Sequence, residues 1–234
     1  MEYLKEPDEG NTDALQFGSY IHKIFEDGIN LKNETDLIKL SEDVRGKYTV
    51  AQSYSGKDIQ CIKNFLNLNK KLGETVATEL PFDIILSEDI RLNGVIDRVI
   101  KGKNNTYLII DYKTSKKEKT KVELYQDTQL KGYTYAIHKM YEVPIKNIVA
   151  AHYYPLSDNL VSVSYTTNQI NAYTKSIINE VWKIRKAKKG DLVATRNEFC
   201  NWCAYKSLCP EFNEPSVIEE NIKKLKASST ESNQ

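Results

Sequence analysis

The chain has 234 residues, of which 40% are hydrophobic and 28% are charged, and its formal net charge is +1. A chain of this size can bury one sizeable core, and we expect one elaborated domain. A net charge so close to zero excludes a surface that binds polyanions everywhere, so local charge is more informative. We find no apolar run that could cross a bilayer and no leader at Met1, and we expect a soluble, cytoplasmic protein without membrane partners.

Hydrophobic periodicity predicts helices on both sides of a group of strands. The predicted elements, in chain order, are helices at about 12–29, 32–47 and 55–72, strands at about 75–86, 91–101 and 106–113, a helix at about 122–141, strands at about 147–154 and 160–166, and a helix at about 169–188. This order indicates an α/β class, with a central mixed β-sheet flanked by helices. A cysteine loop at about 199–210 and a polar, flexible tail at 216–234 complete the prediction.

Two neighbouring predicted strands carry acidic side chains. Asp97 lies on the strand at 91–101, and Asp111 and Lys113 lie at the end of the next strand. Because successive side chains alternate faces in a strand, Asp111 and Lys113 point the same way. The set is either a plain ion pair or a site for a hard divalent cation, with two carboxylates as ligands and a lysine beside them.

Two further side chains have both a structural and a functional interpretation. His22 lies on a partly apolar helix, where a histidine is more often packed than bound to a metal. Glu79 lies on the first strand, opposite in phase to Leu80, and is at least as well explained as a solvent-facing side chain as an extra ligand.

Gln129 and Tyr133 are spaced by one helical turn, so an amide and a phenol share a helix face. A basic run that includes Lys116 and Lys117 follows the second acidic strand, and we interpret it as a track for phosphates. A second basic run, at 183–189, is equally explained as a solvated helix face.

Cys200, Cys203 and Cys209 have the spacing C-x2-C-x5-C, which is typical of a metal or cluster site rather than of disulfides in a cytosolic protein. Three thiolates need a fourth ligand. Cys61 is the remaining cysteine, and its apolar neighbours favour an ordinary buried thiol. A ligand outside this sequence, a substitution by Cys61, and a cluster that is lost or replaced by zinc all stay open.

Together, the motifs around His22, Asp97, Asp111 to Lys113, Gln129 to Tyr133 and the three cysteines resemble those of the PD-(D/E)XK nuclease superfamily, in its RecB-like iron–sulfur exonuclease branch, which includes the CRISPR-adaptation nucleases. The resemblance covers about residues 15–212 and implies a restriction-endonuclease-like core in one nuclease domain at 1–215. It further implies a [4Fe-4S] cluster on Cys200, Cys203 and Cys209.

The resemblance also implies residue roles. His22, Asp97, Asp111 and the backbone carbonyl of Tyr112 would bind Mg²⁺ or Mn²⁺, with Lys113 as a catalytic residue beside the two acids. The DNA-binding residues would be Gln129, Tyr133, Lys116 and Lys117.

The function that follows is metal-dependent phosphodiester hydrolysis by a DNA exonuclease. Its substrate would be single-stranded DNA or DNA ends, in recombination, repair, phage DNA metabolism or CRISPR adaptation. A restriction-like endonuclease would share the core, but we find no separate recognition region. A non-catalytic DNA-binding or assembly module would have lost the acids, which are present here.

Overall fold

A computed structural model of the protein describes residues 13–188 and 193–231. Its contacts form two compact units. Of the described residues, the main unit comprises 13–183, and the C-terminal unit comprises those from 184 to 231. The single domain expected at 1–215 stays a prediction.

The main unit is built on a five-stranded sheet in the order β1-β2-β3-β4-β5. The helices are α1 Asp13–Asp27, α2 Glu34–Arg45, α3 Lys57–Asn69, α4 Lys121–Gln126, α5 Thr128–Met140 and α6 Thr167–Lys186, and the strands are β1 Glu74–Ser87, β2 Ile90–Lys101, β3 Tyr107–Tyr112, β4 Ile148–Tyr154 and β5 Asn159–Val163. β3 and β4 pair in parallel, while the other neighbours are antiparallel. The predicted α/β fold with a mixed sheet between helices is confirmed.

The alternating side chains of β3 separate two hydrophobic clusters. Ile110 and Tyr112 pack in the cluster that contains Phe17 and Phe65 from α1 and α3. Ile109 packs in the other cluster, which contains residues of α5 and β4. Helices therefore cover both faces of β3, and the end of this strand is held from both sides.

One helix that we predicted as continuous is interrupted in the structure. The helix expected at 122–141 is two helices, because Asp127 has extended backbone angles, φ −64° and ψ 117°. Its carboxylate accepts a hydrogen bond from the Leu130 backbone N–H at 2.9 Å and so caps α5. Gln129 consequently lies in the first turn of a new helix rather than in the middle of a long one.

The C-terminal unit contains a helix where the sequence analysis predicts a polar tail. α7 extends over Pro215–Glu231. Proline suits the first turn of a helix, and Ile218, Ile222 and Leu225 recur at helical spacing, a pattern that the surrounding Lys, Ser and Glu residues obscure. Among the described residues, no helix is long and apolar enough to span a membrane.

Candidate active site

The two acidic side chains of the predicted site lie opposite each other on neighbouring strands. β2 and β3 are antiparallel with Arg98 paired to Ile110, and continuing this register sets Asp97 opposite Asp111. Side chains of directly opposed residues share a face of the sheet. Asp97 is further held by the Tyr112 backbone N–H, which donates to its Oδ2 at 2.7 Å.

The Asp111 side chain is buried and that of Asp97 is 11% exposed, and burial disfavours the charged form of a carboxyl group. Desolvation raises the pKa of Asp97 to about 6. Desolvation, followed by the nearby Asp97, raises the pKa of Asp111 to about 6. When both carboxyl groups are ionised, a positive charge beside them stabilises the site.

Lys113 supplies part of that charge. Its ammonium nitrogen lies 2.6 Å from Asp111 Oδ2 and donates a hydrogen bond to Gln129 Oε1 at 3.0 Å. The Gln129 amide in turn donates to the Tyr133 hydroxyl at 2.8 Å. The lysine, amide and phenol predicted from separate motifs therefore form one connected chain that starts at the acid.

His22 reaches the same place from α1. Its Nε2 lies 2.9 Å from the Tyr112 carbonyl oxygen, and its Nδ1 lies 3.6 Å from Asp97 Oδ2. Burial lowers the pKa of His22, which favours the neutral imidazole with a free electron pair. The structure thus brings together His22, Asp97, Asp111, Lys113 and the Tyr112 carbonyl.

Glu79 also lies in this group. From the sequence alone, Glu79 is explained equally well as a solvent-facing side chain and as an extra ligand. One ligand atom each from His22, Glu79 and Asp97 lies within 4.8 Å of the others. Glu79 falls between the Thr78–Arg98 and Leu80–Ile96 pairs, which sets it opposite Asp97. Its φ of 44° is in the left-handed region, a strain of about 1–3 kcal/mol for a residue with a side chain.

A cavity of about 550 Å³ opens beside these residues and is lined by His22, Glu79 and Lys113, among others. Gly18 also lines it, one helical turn before His22. A Cβ atom at Gly18 would lie 3.2 Å from Thr114 Oγ1. Glycine therefore allows α1 to approach the end of β3 closely enough for His22 to reach Tyr112.

The residues fit a divalent cation. His22 Nε2 and the Tyr112 carbonyl oxygen are 2.9 Å apart, close to the roughly 3 Å between adjacent ligands of an octahedral ion with bonds of about 2.1 Å. Asp111 Oδ2 is buried and, although it is near Lys113, has no partner with hydrogen-bond geometry. Oxygen donors with one imidazole suit Mg²⁺ or Mn²⁺.

Sequence reasoning missed His152 on β4. This side chain is fully buried, and its Nε2 lies 3.5 Å from Asp111 Oδ2 and 3.7 Å from Asp127 Oδ2. Burial lowers the pKa of His152 to about 4, so the imidazole is neutral near pH 7 and neither contact is an ion pair there. One histidine within an apolar strand gives no sequence signal for this position.

The basic run after β3 is only partly available to a ligand. Lys119 pairs with Asp127 at 2.7 Å and thereby supports the cap of α5. Lys116 and Lys117 are exposed. The second run, at 183–189, extends to a residue outside the described part of the chain.

The cysteines lie in different units. Cys61 is fully buried on α3, and burial raises the pKa of its thiol to about 12, as expected for a core residue. Cys200, Cys203 and Cys209 are free thiols in the C-terminal unit, where the Asn197 backbone N–H donates to the Cys200 sulfur. The iron–sulfur cluster stays a prediction.

The mixed sheet between helices is the fold expected for a PD-(D/E)XK core, and the comparisons agree. The family model of the PD-(D/E)XK nuclease superfamily matches residues 1–210, and the chain belongs to this superfamily. It is similar to a subunit of the ATP-dependent helicase/deoxyribonuclease from three Streptococcus agalactiae strains, of serotypes Ia, V and III, with 26% identity over 196 residues. These alignments cover 74% of this chain and 18% of each relative, so the chain spans less than a fifth of their length.

A crystal structure of SSO0001 has a TM-score of 0.42 to this chain at 15% identity, over 83% of this chain and 86% of that chain. This similarity is too low to support an assignment.

Proposed function

We propose that the chain is a metal-dependent DNA exonuclease that hydrolyses phosphodiester bonds in single-stranded DNA or at DNA ends. The observation that carries the proposal is that His22 and Lys113 line one cavity and contact Asp97 and Asp111, which lie opposite each other on β2 and β3. Membership of the PD-(D/E)XK superfamily supports a nucleic-acid substrate. The similarity to part of a helicase/deoxyribonuclease supports DNA.

In this proposal, Mg²⁺ or Mn²⁺ is held by His22, Asp97, Asp111 and the Tyr112 carbonyl, with Glu79 as an additional ligand. When bound, the cation supplies a Lewis acid for the scissile phosphate and a bound water of lowered pKa. The buried acids contribute the negative charge that retains it, and neutral His22 contributes an electron pair.

Lys113 positions the attacking water and offsets the charge that develops on the phosphate oxygens. Its ammonium is held between Asp111 and Gln129, so it enters the reaction already oriented. Gln129 and Tyr133 contact the backbone of the strand, and Lys116 and Lys117 bind further phosphates.

The cysteine loop is proposed to hold a [4Fe-4S] cluster whose fourth ligand is not Cys61. The burial of Cys61 among the apolar side chains of α1 and α3 supports the second part. Iron and zinc contents of anaerobically purified protein, compared with a Cys200→Ser variant, test the cluster.

Two variants test the nuclease assignment on labelled single-stranded DNA. Asp111→Ala should remove a metal ligand and reduce cleavage by several orders of magnitude. Lys113→Ala should suppress cleavage while Mn²⁺ binding, measured by calorimetry, is largely retained. Near-normal cleavage by both folded variants would overturn the assignment.

A further inference from the structure

A second cavity adjoins the candidate active site. It has a volume of about 710 Å³ and shares Ala14, Thr114 and Ser115 with the active-site cavity. We call it the side cavity. Its lining includes Tyr54, Lys57, Gln60, Lys116 and Leu156. Thr114 and Ser115 directly follow Lys113 in the sequence. A DNA strand that leaves the proposed reaction centre along these two residues therefore enters the side cavity.

The wall of the side cavity carries one aromatic ring that packs against the core. Tyr54 stacks on Phe17 with ring centroids 4.3 Å apart and planes 19° apart. Phe17 is fully buried on α1, the helix that carries His22. The tyrosine ring therefore packs against the helix that carries the proposed metal ligand, and Leu156 and Ala14 extend the apolar surface beside it.

The charge of the side cavity is positive. The Lys57 ammonium donates to the Ser53 carbonyl at 2.7 Å and lies 4.6 Å from the centre of the Tyr54 ring. Lys116 is exposed. The nearby acid, Asp58, is turned into the protein, where Arg45 binds its carboxylate at 3.0 Å.

An aromatic and aliphatic wall beside ammonium groups is the combination that binds an unpaired nucleotide, because the base needs an apolar surface and the phosphate needs charge. The volume lies within the range of about 300–1,000 Å³ for small-ligand sites. The side chain of Gln60 adds a polar group for a base edge.

We propose that the side cavity binds one unpaired nucleotide of the substrate strand, adjacent to the scissile phosphate. Tyr54 and Leu156 contact its base, and Lys57 and Lys116 contact its phosphate. This inference rests on the proposed nuclease function. Binding of one nucleotide in the side cavity would favour single strands over duplex, because a paired base reaches the side cavity only after it leaves its partner.

The experiment combines a protein change with a DNA change. Wild type and Tyr54→Leu are compared with Mn²⁺ on single-stranded oligonucleotides that carry one abasic nucleotide at successive positions from the labelled end. Tyr54→Phe retains the ring and should behave as wild type. Tyr135→Leu is the matched control, because Tyr135 also lies under a lysine, Lys139, and lines a separate cavity of about 330 Å³.

For wild type, we expect one abasic position next to the cleaved bond to raise KM about tenfold, as loss of one stacked base implies. Tyr54→Leu should raise KM by a similar factor on intact DNA and show no further loss at that position. The loss on DNA should exceed the loss on the p-nitrophenyl ester of thymidine 5′-phosphate, which is too short to fill both cavities.

Equal losses for Tyr54→Leu on the ester and on DNA, or additive effects of the two changes, would overturn the inference and leave Tyr54 as a packing residue. Binding of intact duplex as tight as that of single strands by all variants would assign the side cavity to a duplex backbone and also overturn it. Absence of cleavage by wild type would instead refute the proposed function itself.

Discussion

The Nε2 atom of His152 lies 3.5 Å from Oδ2 of Asp111, on the buried side of the proposed metal ligand. The same imidazole lies 3.7 Å from Asp127, whose carboxylate caps the helix that carries Gln129 and Tyr133. Neither polar atom of the His152–Asp111 contact has a partner with hydrogen-bond geometry. A small movement of either side chain would make this contact a hydrogen bond and orient Asp111.

We therefore predict that His152 orients Asp111. His152→Ala should weaken Mn²⁺ binding or cleavage about 10–100-fold, as substitution of groups behind metal ligands commonly does. His152→Gln should recover part of the loss, because it restores a polar donor. Calorimetric Mn²⁺ titration and kcat measure the effect. A variant that loses thermal stability but binds Mn²⁺ as wild type does would assign His152 to packing alone.

The buried acids should make the metal-free protein less stable as pH rises. For a carboxyl group with an unfolded pKa of about 3.9, a folded pKa of about 6 means that the folded state binds the proton more tightly. The associated stability is present below about pH 4 and is lost as pH rises through about 6.

Asp111→Asn should accordingly increase the free energy of unfolding of the metal-free protein at pH 8 by about 1–3 kcal/mol, or several degrees in Tm, with little gain at pH 4. The control is Asp83→Asn, which removes an exposed acid paired with Arg91. Thermal unfolding at both pH values measures the change. A less stable Asp111→Asn protein at pH 8 would contradict the buried-charge argument.

Glu79 provides a test of the metal site that the motif resemblance does not supply. Glu79→Gln should weaken Mn²⁺ binding about tenfold or more, because the neutral amide is a poorer ligand for a hard cation. Glu26→Gln is the matched control, because Glu26 lines the same cavity but pairs with Lys23 at 3.0 Å. Equal Mn²⁺ affinity in the two variants would place Glu79 outside the site.

Gln129 has a second consequence beyond DNA contact, because it also holds Lys113. Gln129→Ala should lower kcat and raise KM for DNA, while Mn²⁺ affinity is retained. Tyr133→Phe should have the smaller effect, since it removes a proposed strand contact and the acceptor of the Gln129 amide but keeps the Lys113–Gln129 hydrogen bond. An equal loss of Mn²⁺ binding in titration would show that the helix α5 face supports the metal site rather than the substrate.

Much of the fold follows from the sequence because the clusters on both sides of the sheet depend on regular patterns. Phe17, Ile21 and Phe25 recur at helical spacing, and the residues of β3 alternate between two clusters. The break at Asp127 was missed because an acid at a helix start and an acid on a helix surface look alike without knowledge of the next backbone donor.

Local motifs predict Asp97, Asp111 and Lys113, whereas the placement of Glu79 and of His152 depends on pairing between strands. Asp111 lies on β3, and Lys113 directly follows its last residue. Glu79 and His152 reach the site only through the registers of β1 with β2 and of β3 with β4. These registers are set by long-range contacts that no short segment encodes.

The most direct test of the account is a time course on end-labelled linear and circular single-stranded DNA, with duplex DNA in parallel, in the presence of Mn²⁺ or Mg²⁺. We predict that wild type shortens the linear single strand from an end and leaves the circle intact, and that Asp111→Asn is inactive. Blocking each end in turn then gives the polarity. Cleavage of the circle would contradict the exonuclease assignment, and absence of cleavage on every substrate with either metal would contradict the nuclease itself.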